Sequence, residues 1–128
     1  MDRVIDPSGQ NATISFADAL IPVIYDHGKP RIIMKHIFTD LGLDYSSALA
    51  HLKSNAWAEI DLHLARGADG RKFRMQTATP GTFLIWLTRL TKVPKQTEPR
   101  LRRYQAETML ALTEHANHAF ASQERKLP

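Results

Sequence analysis

Arg71, Lys72 and Arg74 form one short cationic run in this 128-residue sequence, and Arg100, Arg102 and Arg103 form another. Guanidinium groups grip carboxylates and phosphates through paired N–H donors, and an ammonium adds a point charge. The surroundings sharpen the signal. From Arg71 to Arg103 nine Lys or Arg stand against one acid, Glu98, a net of +8, whereas Met1 to Leu64 carries five cations and eight acids, a net of −3. The six residues are therefore expected to share one surface that meets an acidic protein or nucleic acid. The plainer alternative is a solvated cationic face.

Other residue types that could do chemistry fit less well. There is no cysteine, no Gly-x-Ser-x-Gly elbow and no phosphate-cradling glycine loop. Asp40 and Asp44 straddle Gly42, which suits helix-end residues better than an acid/base pair. Glu59 and Asp61 fall on one face of an expected strand, where solvation is the simpler reading. His115 and His118 are three apart on an expected helix and could reach one ion, but zinc needs further ligands such as Glu114, and surface histidines are the stronger reading. The expectation is a protein that is not an enzyme and uses no metal or cofactor.

The elements that must position the cations read as follows. Residues 1–15 are polar and read as a flexible leader, 16–121 as one domain and 122–128 as a tail. "ALIPVIYDHGKPRIIM" alternates about a "DHGKP" turn and predicts a hairpin, with Pro22 and Pro30 at an edge or strand end. "KHIFTDLG" is a two-turn helix, and "DYSSALAHLKSN" a second one beyond the Gly42 corner. "AWAEIDLHLARGADGRKFRMQTA" predicts a second hairpin turning at "GADG". A largely buried helix starts near Pro80. A long helix from about Glu98 to Ala121 carries an apolar stripe through Leu101, Tyr104, Thr108, Leu112, His115 and Phe120. The expected fold is α+β: two small antiparallel hairpins alternating with short helices, closed by the long helix.

The Gly42 corner invites a helix-turn-helix reading. The second helix, however, offers Ser46, Ser47, His51 and Lys53, with Asp44 where phosphates would approach, and reads bases poorly. Leu110 and Ala106 lie on the otherwise polar side of the long helix, which predicts a homo-oligomer through them. The lack of cysteine, signal peptide and long apolar run points to an intracellular protein without a membrane partner.

The order of these signals resembles the amino-terminal domain of phage antirepressors and the related Bro amino-terminal domain of viral regulators. The residues that carry it are the Gly28–Pro30 turn, Met34 and Lys35 at the first helix, "LGLDYSS" (Leu41–Ser47), "PGTFLIWLTRL", and "RLRRYQAETMLALTEH" from Arg100 to His115. Together they span roughly Ile21 to Ala116. The resemblance implies a regulator of phage or prophage transcription in the cytoplasm of a bacterial host, which binds a repressor or other regulatory protein and relieves repression. The Bro-type alternative is a DNA-binding domain that uses the basic half.

Overall fold

The computed structural model describes residues 11–66 and 70–126, with side chains through Asn117 apart from those of Asn11 and His115. In chain order the elements are β1 (Asn11–Phe16), β2 (Ala19–Asp26), β3 (Lys29–Ile33), α1 (Met34–Asp40), α2 (Tyr45–Lys53), β4 (Ile60–Arg66), β5 (Lys72–Ala78), α3 (Pro80–Arg89), a single 3-10 turn (Lys95–Thr97) and α4 (Glu98–Lys126). The fold class is α+β, as expected. The hairpins are not separate, however: all five strands join one antiparallel sheet in the order β1-β2-β3-β5-β4. The seam between them is short, with Ile32 opposite Ala78 and Ile33 opposite Thr77.

Three boundaries differ from the expected ones. Residues 11–15, read as leader, pair along β2 as β1. The β1–β2 connection uses Ala17 and Asp18, both at positive φ (55° and 62°). Such a turn usually announces itself through Asn-Gly or Gly-Gly, and this one does not. The second hairpin starts at Ile60, and Trp57 packs on the core from the loop before it. Helix α4 continues to Lys126 through residues read as tail. The remaining leader and tail residues, 1–10 and 127–128, and Gly67 to Asp69 of the expected "GADG" turn, lie outside the described residues. So do the side chains of His115 and His118.

The pleat sorts the strands into two faces. Ile21, Val23, Ile32 and Ala78 point to the helices and join Met34, Phe38, Leu52, Trp86 and Tyr104 in the main core. Aromatic edges lock that layer: Phe38 meets Trp86 at 5.4 Å, and Phe16 stacks on Tyr104 at 6.0 Å. On the other face Ile24, Ile33 and Ala65 form a smaller cluster. There His63 lies 2.8 Å from Thr77 Oγ1 and 3.2 Å from Asp26, and Arg31 donates to Thr77. His63 belongs to β4 and Asp26 to β2, with two strands between them, so the sheet is strongly curled. Pro22 sits inside β2, not at its end, but the ladder toward β3 stops at Val23, so only β1 flanks it.

The α1–α2 corner is fixed from several sides. Gly42 takes φ +71°, and a Cβ there would meet Pro94 Cγ at 3.1 Å and Thr97 Cγ2 at 3.3 Å. Thr97 Oγ1 donates to the Leu41 carbonyl at 2.8 Å. Asp44 caps α2 by accepting from the Ser47 N–H at 3.0 Å, and that bond holds its carboxyl below its ordinary range. Helix α3 buries Thr82, Phe83, Trp86 and Leu87 but leaves Ile85 40% exposed, so it is less enclosed than its sequence suggests. Helix α4 buries Leu101, Tyr104 and Thr108. Beyond Thr108 no described residue of it is buried, and Leu112, expected in the core stripe, is 45% exposed.

Candidate docking cleft

Where β3 turns into α1 at Met34, the chain leaves the side of β5. From Gln76 back to Lys72, β5 keeps β4 on one flank, and among the described residues no strand pairs with the other. A cleft of about 1140 Å³ opens along that flank. Phe73, Arg74, Met75 and Gln76 form one wall, four consecutive residues whose side chains alternate above and below the sheet, so the cleft runs along the strand's edge. Lys35, His36, Thr39 and Asp40 form the other wall, the solvent-facing side of α1 opposite the buried Ile37 and Phe38. Tyr45 and Arg100 complete the lining.

The α1 wall is held by polar contacts with α4. Tyr104 donates its hydroxyl proton to Asp40 Oδ2 at 2.7 Å, and Arg100 pairs with the other carboxylate oxygen. Burial pushes the Tyr104 hydroxyl far above its ordinary range, and its bond to Asp40 adds to the shift. Among the described lining residues the one carboxylate, Asp40, is thus engaged by Arg100, and Lys35 and Arg74 are the other cations of the lining. Tyr45 and Phe73 are 38% and 43% exposed. Tyr45 is braced edge-on against Phe38 at 5.9 Å.

A family model, the P22_AR N-terminal domain, matches residues 12–122. The chain belongs to this phage antirepressor N-terminal family. No curated protein and no solved structure matches it. The P22_AR match covers all of the sheet but Asn11, both cleft walls and most of α4.

Within this P22_AR domain two of the six cations are brought together in the cleft. Arg74 and Arg100 line the cleft. Arg71 and Lys72 are exposed near its strand end. Arg102 lies 3.6 Å from Glu98, and Arg103 lies 3.8 Å from Asp18 at the β1–β2 turn. Each arginine of this α4 cluster therefore faces a carboxylate, two of them from the acidic first half of the chain. The sequence tally of +8 is partly cancelled in space. Leu110 and Ala106 are exposed on α4, as are Met109 and Leu112.

Lys35, His36, Tyr45, Phe73 and Gln76 were not read as binding residues in the sequence. Helical spacing was the available signal for the first two, since 35, 36, 39 and 40 fall on one face of α1. Nothing local marks Phe73, whose role depends on where β3 ends. Among the described residues no group of three or more His, Cys, Asp or Glu could hold a metal ion, and no helix is long and apolar enough to cross a membrane.

Proposed function

We propose that this chain binds a phage repressor, or a related transcription regulator, and relieves repression without catalysing a reaction. Membership of the antirepressor family over residues 12–122 carries the reading. The cationic, aromatic-edged cleft offers a place for a protein partner, and such a regulator works in the cytoplasm of the bacterial host. The test is release of a fluorescent operator duplex from the repressor of the same phage or prophage. Anisotropy should fall in proportion to added chain and stop at a fixed stoichiometry. An operator that stays bound under excess chain sinks the reading.

Direct DNA binding is the second reading. Arg71, Lys72 and Arg74 on the β4–β5 hairpin favour it, because a two-stranded ribbon fits the major groove. The carboxylates beside Arg100, Arg102 and Arg103 weigh against a continuous phosphate track. Mixing the chain with operator alone decides, since phosphate contacts give an affinity that falls steeply with salt.

Self-association belongs to the same proposal. Met109, Leu110 and Leu112 are 60%, 53% and 45% exposed on α4, an apolar group that a second copy would cover. Sedimentation should show an oligomer that Leu110→Glu shifts toward monomer, and a wild type that is monomeric at high concentration rejects it.

A further inference from the structure

We infer that the cleft takes an extended acidic segment of the partner as an added β-strand along the open edge of β5. This rests on the proposed protein-binding function and names the kind of segment that would bind. Three observations converge on it.

The first is the edge itself. Among the described residues the β3–β5 ladder covers Thr77 and Ala78, so Phe73 to Gln76 presents about 14 Å of strand edge to the cleft. A strand edge is a template for another extended chain, with main-chain hydrogen bonds supplying affinity and alternate side chains supplying specificity. The second is space. The cleft of about 1140 Å³ exceeds the usual range for small-molecule pockets, roughly 300–1,000 Å³, and lies where a continued β3 would run.

The third is the alternation of charge with the pleat. Arg74 lies opposite Leu64, on the face that carries Ile32 and Ala78 toward the helices. Lys35 of α1 and Arg100 of α4 line the cleft with it. Phe73 and Met75 point to the other face, opposite Ala65 and His63. A strand laid beside β5 therefore sets every second side chain beside Arg74 and the rest beside Phe73 and Met75. The matching partner alternates carboxylate with apolar side chains. A nucleic-acid strand, with a charge on every residue, does not match this alternation.

The experiment uses the whole chain and a capped peptide of about eight residues alternating Glu with Val. The controls are a Lys-Val peptide and a single-stranded thymidine oligonucleotide of equal length. Amide hydrogen exchange should slow at Phe73 to Met75 with the Glu-Val peptide, and nuclear magnetic resonance shifts should reach Lys35 and Tyr45. The Lys-Val peptide should do neither. Separate Arg74→Glu and Lys35→Glu variants should each weaken binding about tenfold, because each replaces an attraction by a like-charge repulsion. No binding, protection at the β1 or β4 edge instead, or preference for the oligonucleotide overturns the inference. The repressor-release assay separates the two claims. If wild type and both variants release the repressor equally, the cleft assignment falls and the antirepressor reading stands. If wild type releases nothing but still takes the Glu-Val peptide at β5, the reverse holds.

Discussion

The two walls of the cleft are built in opposite ways. The α1 wall is tied to the body by a positive-φ glycine against Pro94 and Thr97, the Thr97–Leu41 bond, and the Asp40 carboxylate shared by Arg100 and Tyr104. The β5 wall is joined to β3 through two residue pairs, pairs along its length with β4 and touches α1 and α3. Stability is concentrated on one side of the site and accessible main chain on the other. A docking surface of this kind keeps one wall fixed while the other still has unused hydrogen-bonding capacity.

The sharpest way to break the contrast is at the fixed wall. Gly42→Val places a β-branched residue in the left-handed region and drives its side chain into Pro94 and Thr97. It should cost about 2–4 kcal/mol and lower Tm by roughly 10 °C, and an unchanged melting curve would show that the corner is not under constraint. Tyr104→Phe comes next. It removes a hydroxyl bonded to a carboxylate and should cost about 1–3 kcal/mol in urea unfolding. Because the folded state holds the Tyr104 proton more tightly than the unfolded chain, its contribution is full below about pH 10 and is lost as pH rises further. The variant should lose less stability than wild type over that alkaline range.

Asp44→Ala should have a smaller effect, confined to the start of α2. The Asp44 carboxyl is held below its ordinary range, so its contribution is present above about pH 4 and fades on acidification. A stability difference between variant and wild type that grew toward low pH would contradict the cap. At the open wall the expected effect on stability is least. Lys72→Glu, at an exposed position at the start of β5, should shift unfolding by about 0.5 kcal/mol or less while weakening partner capture. In the free protein, amides at Phe73 to Met75 should exchange faster than those of Val23 and Ile24 in the strand-flanked β2.

Much of the fixed wall was legible in the sequence. "LGLD" announces a glycine corner and a cap, and both are in place, because each depends on residues within one turn. The open wall was not legible. Periodicity finds β5 but does not say which strand pairs beside it or where that pairing stops. That depends on β3 giving way to α1 at Met34, a contact between residues far apart in sequence. The charge count erred for the same reason: Asp18 and Asp40 belong to the acidic half of the chain, yet they sit against Arg103 and Arg100. β1 escaped notice because its turn, Ala17-Asp18, lacks the usual residues.

Helix α4 has a consequence of a different kind. From Met109 to Lys126 it runs for about 27 Å with no described side chain buried, and helices in water draw most of their stability from a packed face. The described part of that half, Met109 to Asn117, is therefore expected to open more readily than the packed turns before it. Whatever covers Met109 and Leu112 shifts it toward helix, so mean residue ellipticity at about 222 nm should increase with protein concentration if copies pair there. The distal half of α4 then serves as a built-in optical reporter of its own occupancy.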